Sequence, residues 1–446
     1  MPRGMPSTNV AEHIESLRHP RHSAITRTDR SIQGTFILHA ASILVPDLAD
    51  QDARFSAAFS ILSQAIEQHA FPAASIAVTL QGKLLALQSF GSFVYREDLE
   101  GASTLSLGED FALAVTPSTL FDLASLTKPV ATTTVAMILY ERGLLELDAP
   151  IADKIPEFRT DGSDQRRSEV TFRMLLAHCS GLPAYEKLFL RVHSRDELLQ
   201  TAFTMPLTAD PGTRAEYSDI GFIILSEALE RITGERLDVF CQREIFGPLG
   251  MANTGFNPPE ARRSKIPPTA DETEAQCGAG APAREKQTPA TKPSVSQEVV
   301  RSTFRQRIIQ GEVQDENAFV LGGVAGHAGL FSTAEELAIF AQTFLAGGSP
   351  ILRPETISPF TSRESAPAGT SRALGWDTPS SPSQSGKHLG PRSYGHLGYT
   401  GTSLWIDPDR QVSITLLTNR TWPDCSNQAI KQVRPLVHDA IMAAIL

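Results

Sequence analysis

Cysteine is scarce in this chain: four residues in 446, Cys179, Cys241, Cys277 and Cys425, scattered with no C-x-x-C spacing. That is too few to staple so long a chain, and the spacing offers no zinc site. They read as unpaired thiols of a reducing compartment. Positive charge is also in deficit, since 40 Lys and Arg against 50 Asp and Glu leave a net charge of −10. A phosphate backbone is a poor partner for such a surface, which sets nucleic acid aside. Long apolar runs are missing too. The best, TFILHAASILV at residues 35–45, is too short to span a bilayer and carries His39. Because it follows a polar stretch with Arg, acids and Pro, it is a poor secretory signal as well. As written, the chain is expected in the cytoplasm with no membrane partner; a misassigned start would place it in the periplasm. His178, His327, His388 and His396 form no H-E-x-x-H or H-x-x-x-H pair, so neither a metal nor another cofactor is expected.

What remains is a globular composition: 41% hydrophobic, 20% charged and 7% aromatic residues. Residues 1–50 have no sustained period and read as a loose leader, with one domain over 51–446. Phe55, Phe59, Leu62 and Ile66 give a helix one apolar stripe. ASIAVTL and KLLALQSFG then read as a hairpin turning at Gln81 and Gly82, and SLWIDPDRQVSITLLTN as a second one turning at Asp407 to Arg410. Ile430, Val433, Val437 and Ile441 mark a terminal helix containing Pro435. Two hairpins from opposite ends, each beside an amphipathic helix, predict an α+β fold. Its antiparallel sheet is built from both chain ends and covered by helices. Between them, about 140–310, helical spacing dominates, above all in GFIILSEALERITG with Gly234 as its stop, and predicts a mostly helical lobe. Within it, residues 270–303 have no aromatic residue and few aliphatics, and read as a disordered surface insertion. A Ser-, Pro- and Gly-rich loop at 365–395 is placed to border a cleft.

The chemistry points to FDLASLTKPVATTTVAMILY. Ser125 and Lys128 stand three apart where an apolar helix begins, close enough on a helix for a hydrogen bond. A lysine activates a serine only when its amine is neutral, which needs desolvation or neighbouring positive charge. With 39 Ser and 9 Lys in the chain, about one S-x-x-K is expected by chance. The pair alone therefore leaves a capped surface helix as the more frequent reading. Two further stretches bear on it. AEYSDIGF sets Tyr217, Ser218 and Asp219 just before a strong helix, and SYGHLGYTGTSLWIDPD sets His396, Leu397 and Gly398 at the head of a strand. The run GGVAGHAG lacks a preceding strand and an acidic partner, and reads as a tight turn before a helix rather than a dinucleotide fingerprint. His178 and His327 read as hydrogen-bonded structural residues.

S-x-x-K, Y-S-D and H-L-G in this order resemble the three signatures of the serine beta-lactamase and penicillin-binding-protein superfamily, in the branch related to class C beta-lactamases. MLLAHCSGLP, EIFGPLGM, GGVAGHAGLFSTAEELA and GYTGTSLWIDP resemble that branch too, so the likeness covers about residues 53–446 without the insertion. The resemblance implies Ser125 as acylated nucleophile, Lys128 as its base and Tyr217 as proton relay. It implies His396, Gly398, Tyr399 and Asp219 at the substrate, with the oxyanion hole formed by the N–H groups of Ser125 and Tyr399. It implies a hydrolase for an amide, lactam or ester in a small-molecule or peptide substrate, monomeric and without cofactor. A penicillin-binding or cell-wall-fragment-sensing module that never turns over is the alternative. Two positions depart from the pattern. Asp219 replaces asparagine, so it either points away from Lys128 or has its charge neutralised. His396 replaces lysine, which removes a fixed positive charge and weakens the binding of substrate carboxylates.

Overall fold

The computed structural model describes residues 44–100, 113–159, 164–272, 304–423 and 425–446. The central sheet has six strands: β1 Val45–Pro46, β2 Ala73–Leu80, β3 Lys83–Gly91, β4 Tyr394–Leu397, β5 Ser403–Asp407 and β6 Val412–Thr418. Their order is β1-β3-β2-β6-β5-β4, so strands from the two ends of the chain meet at the β2–β6 pair. There Val412 to Thr418 run antiparallel to Leu80 to Ala74, and Thr79 Oγ1 and Ser413 Oγ lie 2.6 Å apart across the seam. The sheet is mixed rather than wholly antiparallel, because β1 runs parallel to β3 through Val45 and Pro46. Ordered structure thus begins before residue 51. Residues 1–43 of the expected leader lie outside the described residues.

Both expected hairpins form. Gln81 and Gly82 take φ of 50° and 80° between β2 and β3, the paired positive values that suit a two-residue turn. On one face of the sheet, helices α1 Ser56–Glu67 and α5 Ile430–Ile445 lie together and bury Phe59, Leu62, Val437 and Ile441 against Ile76, Val78, Ile414 and Leu416. Pro435 lies inside α5. The other face carries α4 Ala334–Leu345 and, beyond it, the helical lobe in one larger core. In that lobe α3 Asp219–Thr233 is capped by the Ser218 hydroxyl, which accepts from the Gly221 N–H at 3.0 Å, and ends at Gly234 with φ of 68°. The foot of the insertion is ordered: Ala270–Asp271 pair antiparallel with Ile308–Ile309. Residues 273–303 of it lie outside the described residues. Cys179 and Cys241 are buried free thiols, whereas Cys425 is disulfide-bonded, which corrects the reading of four unpaired cysteines.

Candidate active site

The strand Phe121–Asp122 leads into a single 3-10 turn, Ala124–Leu126, then a π-helical segment, Lys128–Thr133, and only then α-helix α2, Thr134–Glu141. The smooth helix start expected around Ser125 is therefore two distorted turns, a form that recurs at functional sites. Ala124 sits at φ 47°, a costly conformation for a residue with a side chain. It is held there from both sides: its N–H donates to Asp122 Oδ1 at 2.8 Å, and its carbonyl accepts from Thr127 Oγ1 at 2.7 Å. Asp122 Oδ2 accepts from the Gln314 N–H, and burial pushes this carboxyl up to about 6 despite both bonds.

The result is a half-buried Ser125 whose Oγ receives two donors, Tyr217 OH at 2.8 Å and Lys128 Nζ at 3.0 Å. Lys128 is wholly buried. Its other two N–H groups reach Asp219 Oδ1 at 2.6 Å and the His327 carbonyl at 3.1 Å. Three donors meet three acceptors, the complement of an ammonium. Burial alone would lower the lysine pKa, but the Asp219 carboxylate first, with the Tyr217 side chain beside it, outweighs burial and leaves the pKa above its ordinary value. Asp219 thus faces Lys128 and neutralises it rather than pointing away. A resting ammonium thus stands where a neutral amine was expected at Lys128, and Asp219 Oδ1 is engaged by that lysine.

Tyr217 is held by His178, whose ring centre lies 4.6 Å away and whose Nδ1 accepts from the Ser218 N–H at 3.0 Å. Burial raises the Tyr217 pKa against the pull of Lys128, so the group is a phenol. His178 is pushed well below its usual pKa, first by burial and then by Arg372, Lys128 and His396. The glycine run delivers more than a turn. Gly326 accepts from Thr132 Oγ1 at 2.7 Å, and the His327 ring, bonded to Asp315 Oδ1 at 2.9 Å, leaves its carbonyl on Lys128. The strand Leu330–Ser332 follows it before α4 begins.

The third signature lies on the edge strand β4. His396 is buried, with its ring centre 5.9 Å from that of Tyr217. Gly398 is required by packing: a Cβ there would stand 1.9 Å from Thr402 Oγ1 and 2.5 Å from the Leu123 carbonyl. Thr400 Oγ1 donates to the Asp122 carbonyl at 2.7 Å and Thr402 Oγ1 to the Leu123 carbonyl at 2.9 Å, stitching the turn after β4 to the turn that carries Ser125. Tyr399 is thereby set beside Ser125's turn, and its carbonyl accepts from Arg420 Nε at 2.6 Å. Sequence reasoning brought Ser125, Lys128, Tyr217, Asp219 and the 396–399 segment together. It missed Asp122, Thr400, Thr402, the His327 carbonyl and Arg372, whose guanidinium lies 5.4 Å from the Tyr217 ring centre. For the threonines the signal was present in GYTGTS, which alternates small hydroxyl residues with glycine. Among the described residues no group of three His, Cys, Asp or Glu side chains is arranged to hold a metal ion, and no helix is long and apolar enough to cross a membrane.

The beta-lactamase family model matches residues 58–436. The chain belongs to the beta-lactamase family. It is a serine hydrolase of a small-molecule or peptide substrate. Among curated relatives, an N-acetylmuramyl-L-alanine amidase of Bacillus subtilis (strain 168) is 31% identical over 410 residues, covering 86% of this chain and 87% of the relative. Two solved structures share the fold. A penicillin-binding protein homologue from Caulobacter crescentus has a TM-score of 0.61 at 19% identity, covering 88% of this chain and 97% of that one. A class C beta-lactamase from Rhodobacter sphaeroides has a TM-score of 0.59 at 21% identity, covering 87% and 99%.

Proposed function

We propose that this beta-lactamase-family hydrolase cleaves an amide or ester bond through an acyl-enzyme on Ser125. The observation that carries the reading is the convergence of Tyr217 OH and Lys128 Nζ on one Oγ beside a strained turn. Ser125 Oγ bonds to the scissile carbonyl carbon, and the carbonyl oxygen moves into the N–H groups of Ser125 and Tyr399. The serine proton passes to Lys128 as Lys128 yields one of its own to Asp219, 2.6 Å away. The Tyr217 hydroxyl protonates the leaving group and is resupplied from the same relay. Water then repeats the sequence in reverse and frees the acid. Amides are placed ahead of lactams because a relative of similar length is named an amidase. The protein acts as a monomer, without cofactor. The bonded Cys425 favours an oxidising compartment such as the periplasm over the cytoplasm.

A second reading, acylation without turnover, is favoured by one observation: Lys128 is saturated as a donor and must lose a proton before it can accept one. Intact mass during incubation with p-nitrophenyl acetate and with a fluorescent penicillin separates the two. Transient labelling with steady nitrophenol release is expected. Stable stoichiometric label without release would favour the non-turnover module, and label retained by Ser125→Ala would remove Ser125 from the chemistry.

A further inference from the structure

The replacement of lysine by His396 left the cleft without a fixed positive charge at its third signature, and His396 does not supply one. Its Nδ1–H donates to the Leu397 carbonyl at 2.8 Å, so buried Nε2 is a bare acceptor with no partner among the described residues. Burial, together with Lys128 and Arg372, holds the ring well below its ordinary pKa and therefore neutral.

A cation stands nearby all the same. Arg372 Cζ lies 5.4 Å from the centre of the Tyr217 ring, the phenol whose hydroxyl is 2.8 Å from Ser125 Oγ. Its segment is fastened along the outer edge of β4. Arg372 and Asp377 form an antiparallel bridge, and Asp377 exchanges backbone hydrogen bonds of 2.8 and 2.9 Å with Gly395, next to His396. The side chain is neither sealed in nor free, at 22% exposure.

How the guanidinium spends its donors sets it apart. Arg420 donates to the carbonyls of Tyr399, Cys425 and Asn427, and Arg434 to those of Gly398 and Thr402, which is how a guanidinium that only braces the fold is used. The Arg372 guanidinium makes no hydrogen bond among the described residues. Its one ion pair among the described residues is long, 3.7 Å from Asp377 Oδ2, while Asp377 Oδ1 accepts from Ser371 Oγ at 2.7 Å and the Thr378 N–H at 3.0 Å. Five N–H donors in a fixed fork match a carboxylate in shape and charge. One phenol ring separates this fork from the nucleophile, a reach of roughly two extended residues.

We propose that Arg372 is a specificity residue whose guanidinium binds a carboxylate of the substrate, carried within about two residues of the scissile carbonyl. The inference rests on Ser125 as the nucleophile. It replaces the expectation that losing the lysine disfavours carboxylated substrates: the charge is supplied from the segment beside β4 instead of from β4 itself.

The test is a pair of N-acetylglycyl thioesters, one of thioglycolic acid with a free carboxylate and one of thioglycolamide, followed by thiol release. The wild type is expected to prefer the acid in kcat/KM, mainly through KM. Arg372→Gln is expected to cut the acid-to-amide ratio about tenfold or more, and Arg372→Lys to keep part of it. Added salt should shrink the wild-type preference. A wild type indifferent to the carboxylate overturns the proposal. So does an equal fall on both thioesters in a folded Arg372→Gln, which would mean that Arg372 only steadies Tyr217. Turnover that survives Ser125→Ala overturns the nucleophile assignment first and this inference with it.

Discussion

Asp219 carries a heavy electrostatic load, because among the described residues it is the carboxylate bonded to Lys128, a lysine with no exposure to water. Removing one partner of such a pair leaves an uncompensated buried charge, a cost of about 3 kcal/mol or more. Asp219→Asn is therefore expected to lower the melting temperature at pH 7 even though the amide is isosteric. The sign with pH follows from the lysine. In the wild type Lys128 has a raised pKa, so its contribution is present at every pH below the ordinary lysine range and is lost only above it. In the variant burial acts alone and lowers that pKa, so the penalty fades as pH rises towards about 10. Thermal unfolding at pH 7 and pH 9.5 should show the gap between the two proteins narrowing; a constant gap would mean that the cost is not ionic. A second substitution addresses the relay. Tyr217→Phe keeps the ring against His178 but removes the hydroxyl on Ser125, and is expected to slow acylation about a hundredfold while Ser125→Ala abolishes it. The conflict between Asp219 and a neutral lysine was legible from Y-S-D. Its resolution was not, because the third acceptor is the carbonyl of His327, which belongs to a distant glycine run.

At the scale of elements, the site is a junction of two turns. The 3-10 turn bearing Ser125 and the turn after β4 are joined through Thr400 and Thr402, which donate to the carbonyls of Asp122 and Leu123 just ahead of the Ser125 turn. Gly398 lies at their closest approach. Gly398→Ala would set a methyl 2.5 Å from the Leu123 carbonyl, and a backbone oxygen cannot swing aside as a side chain can. The expected result is a loss of about 1–3 kcal/mol of stability. Activity should fall with it on charged and neutral substrates alike, because the Tyr399 N–H moves away from Ser125. Comparing kcat on a neutral ester with the melting temperature checks this; unchanged kcat would mean that the two turns need not touch. A hairpin is readable in advance because Gln81 and Gly82 carry their own instruction in two positive φ values. The π-helical Lys128–Thr133 is not, since what accompanies it is tertiary: Lys128 and Thr132 both bond to carbonyls of the glycine run.

For the whole molecule, the sheet assembled from both termini and the helical lobe were legible because alternation and helical period are properties of each segment. The parallel strand Val45–Pro46 was not, since two residues have no period. Cys425 was misread for a related reason: spacing along the chain says nothing about which sulfurs meet. The bonded Cys425 lies in the segment that follows β6, and Arg420 ties its carbonyl to that of Tyr399 at the site. A constraint on that segment thus bears, through Arg420, on the Tyr399 segment whose N–H is the proposed oxyanion donor. Incubation with a phosphine reductant is expected to cost about 2–5 kcal/mol, seen as a lower melting temperature, and to reduce turnover of a neutral ester below the new melting point. Cys425→Ser should start at the lowered temperature and ignore the reductant, whereas the buried thiols of Cys179 and Cys241 should contribute nothing to the response. A wild type whose melting temperature does not respond to reductant would remove the bond from the account, and with it the argument for an oxidising compartment.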